Sequence, residues 1–102
     1  MPAWPRLALR TIHDLAARRR VRLTHKAFRE LAALDLGLDE SDACEILARL
    51  TRRELVGRQM SGLTGEWMYV FKPRIAGIEV YLKLILRGGC VVVSFHEEED
   101  LP

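Results

Sequence analysis

The chain has 102 residues, with 16 Lys and Arg against 14 Asp and Glu, 49% hydrophobic residues and 29% charged ones. That length admits one small core, a single domain over 1–102, and excludes a dinucleotide-binding fold with a separate substrate domain or a (β/α)8 barrel; the composition excludes a disordered chain. Cys44 and Cys90 are too few for a disulfide-stapled module or a cysteine-rich zinc site, and are expected as buried thiols in a reducing cytoplasm.

In chain order, Pro5 suits the first turn of a helix, where its missing N–H costs nothing. Leu9, Ile12 and Ala16 follow at helical spacing, and Arg18-Arg19-Arg20 ends the helix, either as cations at the negative end of its dipole or as phosphate contacts. Thr24 is the expected N-cap of a second helix with Phe28, Leu31 and Ala32 as its apolar stripe, and Gly37 closes it. Asp39 or Ser41 caps a third helix, whose core stripe is Ala43, Ile46, Leu47 and Leu50. The period then changes. Strands are expected over 54–60, 67–71, 78–87 and 90–97, joined by a turn at 61–65 and by Gly88-Gly89 as a two-residue hairpin loop. Three helices followed by four strands predict an α+β fold, with N-terminal helices packed on a C-terminal antiparallel sheet. No apolar run reaches the ~20 residues of a membrane span, and the N-terminus has no apolar signal core. Glu97, Glu98, Glu99 and Asp100 make an acidic tail over 97–102; without those four, 16 basic residues face 10 acidic ones, a balance that suits a polyanion partner.

The last hairpin carries the most information. With a two-residue loop, Arg87 faces Cys90, Leu86 meets Val91, Leu84 meets Val93 and Leu82 meets Phe95 on the core face. On the other face Ile85 meets Val92, Lys83 meets Ser94 and Tyr81 meets His96. Tyr81, Lys83, Ser94 and His96 then form one patch, with the residue types needed to break an RNA backbone. The 2′-hydroxyl must lose a proton, the phosphorane must be stabilised and the leaving oxygen must gain a proton. Histidine exchanges protons near neutrality, lysine stabilises anionic phosphorus, and tyrosine stacks or transfers a proton. The plainer reading is an ordinary solvent face that happens to hold four polar residues.

Val80-Tyr81-Leu82-Lys83-Leu84, with Val92-Val93-Ser94-Phe95 after the turn, resembles the C-terminal signature of the MqsR family of toxins. Lys72-Pro73-Arg74 resembles its preceding basic-Pro-Arg element, and Leu36-Gly37-Leu38-Asp39, Cys44 and Leu50 its helical half. The resemblance covers roughly residues 6–97. It implies a RelE-like fold and a cytoplasmic, metal-independent mRNA endoribonuclease of a type II toxin–antitoxin pair, leaving a 2′,3′-cyclic phosphate and a 5′-hydroxyl. It also implies an antitoxin partner, often one with a zinc-binding domain and a helix-turn-helix domain, and no cofactor. The family's catalytic tyrosine falls on Tyr81 and its C-terminal lysine on His96. Its glutamine after the tryptophan falls on Met68; its first-strand lysine has no clean match, since Val56 holds the ungapped position, and Arg58, reached if the strand shifts, is taken as the catalytic phosphate clamp, its fixed fork of donors suiting phosphate.

Lys72, Arg74, Arg52 and Arg53 are further candidates for RNA contact, or charges that keep a strand end and a helix end soluble. Trp67, Tyr69 and Phe71 alternate onto one face, for core packing or for base stacking. His13 and His25 have no partner at metal-ligand spacing, so no metal is expected. Two other readings stand beside the nuclease. Residues 24–73 read as helix, turn, helix and a strand–turn–strand wing, with Arg49, Arg52 and Arg53 near a DNA-recognition helix. Alternatively, the chain keeps the toxin fold as a partner-binding protein with weakened catalysis.

Overall fold

A computed structural model describes residues 2–98. The elements are α1 (Trp4–Ala17), β1 (Val21–Leu23), α2 (His25–Ala33), α3 (Glu40–Ala48), β2 (Leu55–Met60), β3 (Trp67–Phe71), β4 (Arg74–Ile75), β5 (Ile78–Leu86) and β6 (Cys90–Glu97). The fold is α+β, as the pattern predicts, but the sheet is mixed and has six strands instead of four. The strand order is β1-β6-β5-β3-β2, with β4 paired to the start of β5. The additional strands, β1 and β4, have three and two residues, too few for periodicity to register. β1 comes from the helical half and runs parallel to β6. No described helix is long and apolar enough to cross a membrane.

The helix caps follow local chemistry. Pro5 lies in the first turn of α1. The Thr24 hydroxyl accepts from the Ala27 N–H at 3.1 Å, and Asp39 forms a capping box with Asp42. In α2 the expected stripe is displaced: Ala27 and Leu31 are buried, whereas Phe28 is 50% exposed and Ala32 also faces solvent. The reason is where α2 lies. Beyond Leu23 β1 stops, and α2 runs along the edge of β6 that β1 leaves uncovered. Lys26 Nζ donates to Val93 O at 3.3 Å, and Glu30 Oε1 accepts the Phe95 N–H at 3.0 Å. The two side chains also pair at 3.0 Å, so a salt bridge satisfies edge groups that would otherwise template another strand.

One core lies between the helices and one face of the sheet. It contains Leu9, Ile12, Leu31, Leu47, Phe71, Val80, Leu82, Leu84, Val92 and Phe95. Both cysteines are free and buried in it, and desolvation, with the neighbouring Cys44 second, pushes the Cys90 thiol up to about 12. Residues 55–71, expected as a wing in the DNA-binding reading, are instead β2 and β3 inside the sheet, with β3 hydrogen-bonded to β5.

Burial of Glu30 raises its pKa, but the Phe95 N–H, Lys26 and His96 lower it more, so its carboxyl titrates below the usual range. A carboxyl depressed in the folded state contributes stability above its unfolded pKa and loses it as pH falls through the folded value. Glu30→Gln keeps an oxygen for the Phe95 N–H but cannot titrate. Acid denaturation curves should therefore show a shallower loss of stability below about pH 4.5 for this variant than for the parent.

Candidate active site

The hairpin of β5 and β6 has the expected outcome by an unexpected route. Near the turn the pairs are Leu86 with Cys90, Ile85 with Val91 and Leu84 with Val92, one residue away from the expected partners of β5. The loop is Arg87-Gly88-Gly89, three residues, with Gly88 at φ +64°. Gly89 allows a close approach of the chain, since a Cβ there would lie 3.0 Å from the Arg20 carbonyl oxygen and one of the two would have to give by a few tenths of an ångström. A β-bulge between Lys83 and Leu84 then sets two residues, Val93 and Ser94, against Lys83 and restores the expected register: Lys83 with Ser94, Leu82 with Phe95 and Tyr81 with His96. Val92 consequently faces the core and Val93 does not, the reverse of the two-residue-loop expectation.

The face of the sheet away from the helices holds the candidate site. Strand pairing arranges it in rows: His96 beside Tyr81; Ser94, Lys83 and Val70; then Arg22, Val91, Ile85, Met68 and Gln59. The rings of Tyr81 and His96 stack, with centroids 5.2 Å apart and planes inclined by 15°. Lys83 Nζ lies 5.9 Å from the Tyr81 ring centroid, within cation–π range. His96 Nδ1 lies 2.9 Å from Glu97 O. A carbonyl oxygen can only accept, so Nδ1 carries the proton of this bond, and in the neutral ring Nε2 is the free base.

Lys72 follows β3 on the Tyr81 side and is held at 3.0 Å by Glu98. Its hydrogen bond to Glu98 raises its pKa; burial opposes this, and the charges of Glu98, Glu79 and Tyr81 add to the rise. The Glu98 N–H bonds Glu79 O at 2.8 Å, so the β5–β6 pairing continues one residue past Glu97 and sets the start of the acidic tail beside the site. Glu99 to Pro102 lie outside the described residues. Arg53 and Arg74 line one depression with Lys72, and Arg74 also donates to Gly77 O at 3.1 Å. Met68 lies beside Ile85 in a second depression of about 410 Å³ bounded by Lys83, Ser94 and the 61–66 turn.

Three candidates are not open to solvent beside Tyr81 and Lys83: Arg58 and Arg52 lie on the helical side, and Ser94 is opposite Lys83 as expected but buried. Arg58 pairs with Tyr69 in the row that faces the helices; its guanidinium is sandwiched between Trp4, at 4.5 Å, and Trp67, at 3.9 Å. Strand alternation puts it on the side of the sheet opposite Tyr81 and Lys83, and the two indole rings hold it there. Ser94 is buried, with Lys26 donating to its hydroxyl at 3.3 Å, because α2 covers that edge. Arg52 lines a groove with Arg6, Arg10 and His13 of α1, also on the helical side. Phe71 is core, whereas Trp67, 39% exposed, stacks on Arg58. His13 donates to Leu50 O at 2.6 Å, a structural bond. No group of three or more His, Cys, Asp or Glu side chains among the described residues could hold a metal ion.

Sequence reasoning missed the Glu98–Lys72 pair and the place of Arg22 on the site's face. Alternation past Phe71 could have put Lys72 beside Tyr81, and alternation past His96 could have put Glu98 on the same face.

The chain is 29% identical over 96 residues to mRNA interferase toxin MqsR of Escherichia coli (strain K12), covering 92% of this chain and 95% of that protein. A family model described as "Motility quorum-sensing regulator, toxin of MqsA" matches residues 4–97. Nearly the whole chain lies within that match, including the stacked tyrosine and histidine, and the chain belongs to this toxin family.

Proposed function

We propose that the chain is an mRNA endoribonuclease, the toxin of a toxin–antitoxin pair, and that Tyr81, His96, Lys83 and Lys72 carry the reaction. The observation that carries the residue assignment is the solvent-side stack of Tyr81 on His96 with Lys83 beside it. In this reading His96 Nε2 takes the proton of a 2′-hydroxyl, whose oxygen attacks the adjacent phosphorus. Lys83 stabilises the phosphorane, and Lys72 joins it when a substrate phosphate displaces Glu98. The P–O5′ bond breaks and the Tyr81 phenol protonates the leaving oxygen. The products are a 2′,3′-cyclic phosphate and a 5′-hydroxyl, and every proton transfer is assigned to a side chain of this protein. Met68 offers an apolar wall for a base, and Gln59, its cross-strand neighbour, brings an amide to the same row. Arg53 and Arg74, in the depression shared with Lys72, suit flanking phosphates.

Membership in a family described as the toxin of an antitoxin implies an antitoxin partner. We assign it a zinc-binding domain and a helix-turn-helix domain, and we place the pair in the cytoplasm with its mRNA substrate.

The test is incubation of the purified protein with single-stranded RNA in EDTA. Cleavage to cyclic-phosphate ends is expected, with Lys83→Ala slowing it at least tenfold at an unchanged melting temperature. Intact RNA together with salt-sensitive duplex-DNA binding would replace the nuclease by a DNA-binding module. Neither activity would leave a protein that acts by partner capture.

A further inference from the structure

The nuclease reading uses the rows nearest His96 and leaves the arginines at the turn end of the hairpin unexplained. Of the run Arg18-Arg19-Arg20, only the first two have local roles. Arg18 pairs with Asp14 at 3.4 Å, and Arg19, at φ +61°, donates to Ser41. Arg20 and Arg22 are exposed, and neither makes an ion pair among the described residues. Lys26, Lys72 and Arg87 differ in this, each being matched by a carboxylate.

Backbone bonds hold the two free arginines in place. The Arg20 N–H bonds Leu15 O at 2.8 Å, and Arg20 O accepts the Cys90 N–H at 2.9 Å. Arg22 pairs with Val91 in the parallel ladder and so stands on the same face as Lys83. With Arg19 and Arg87, both surround a depression of about 370 Å³ at Gly88-Gly89. That depression shares Arg87 and Val91 with the one that contains Lys83 and Met68. From Lys83 to Arg22 is two strand spacings across the sheet and two residues along it, roughly 10 Å by 7 Å. A short stretch of single-stranded backbone spans that distance.

Resting on the nuclease reading, we propose that Arg20 and Arg22 form a phosphate-binding tract for the RNA strand on the turn side of the cut. The tract accepts the backbone of one strand without reading its bases, because two forked guanidiniums flanking a glycine turn match phosphate oxygens.

The experiment uses the full chain carrying Tyr81→Phe, so that RNA survives, and a fluorescent 12-nucleotide single-stranded RNA whose anisotropy is followed across a KCl series. Arg20→Gln with Arg22→Gln should weaken binding about tenfold at low salt and lower the slope of log K against log salt by about 1.4, roughly 0.7 for each lost phosphate contact. Arg6→Gln with Arg10→Gln removes the same charge from the helical side and should change binding less than twofold, with the slope kept. Arg20→Lys with Arg22→Lys keeps the charges and should retain most of the slope. Circular dichroism verifies that each variant is folded. If the Arg20/Arg22 pair behaves like the Arg6/Arg10 pair, or if no RNA binds, the tract does not exist. If the wild-type chain cuts nothing while binding still depends on Arg20 and Arg22, the cleavage reading fails and the tract stands.

Discussion

Tyr81→Phe is expected to reduce RNA cleavage by a factor of about 10²–10⁴ while leaving the fold intact. That range is what a positioned general acid or base supplies. Phenylalanine keeps the ring that stacks on His96, and Tyr81 is only half-buried, with no hydrogen-bond partner for its hydroxyl among the described residues. Stability should therefore stay within about 0.5 kcal/mol of the parent, the usual effect of a surface change. Single-turnover cleavage of a short RNA and a thermal melt, run on the same preparation, check both halves. A phenylalanine variant as fast as the parent would remove the phenol from the chemistry. If Tyr81→Ala alone were slow, the ring would be left with a stacking role only.

Leu84→Ala should produce the largest loss of stability, about 2–5 kcal/mol, as a truncation in a core that cannot fully close around the gap. Leu84 is completely buried, between β3 and β6, where it pairs with Tyr69 and Val92. At about 4–8 °C per kcal/mol for a chain of this size, the melting temperature should fall by at least about 8 °C. Leu84→Met, which nearly conserves volume, should cost under about 1.5 kcal/mol. A Leu84→Ala protein melting with the parent would mean that the side chain does not face the helices, and the face assignment of Tyr81 and Lys83, which depends on the same alternation, would fall too.

Residues with strong local rules were legible. Thr24 and Asp39 cap helices because their oxygens meet orphan N–H groups, and Leu9, Ile12 and Ala16 form a stripe that only one packing direction satisfies. What escaped was set by tertiary context. β1 is three residues long and owes its existence to β6, and the exposure of Phe28 follows from α2 lying along a strand edge. Arg58 looked like a free cation because nothing in a linear sequence shows that Trp4 and Trp67 will enclose it. At the site, the shared face of Tyr81 and His96 was readable from alternation, and their pairing came out as expected because the bulge offsets the longer turn, whereas Ser94 and Lys72 were claimed by Lys26 and Glu98, partners distant in sequence or hidden in a charged tail.

Turn length and bulge position in the last hairpin are coupled. At fixed chain length a two-residue turn with no bulge would also set Tyr81 opposite His96, and only Cys90 to Val93 would exchange faces. The stacked rings are thus insulated from the turn: a chain one glycine shorter can close on two residues with the ladder from Leu86 onwards unchanged, and turn-length variants of this hairpin should keep the Tyr81–His96 stack.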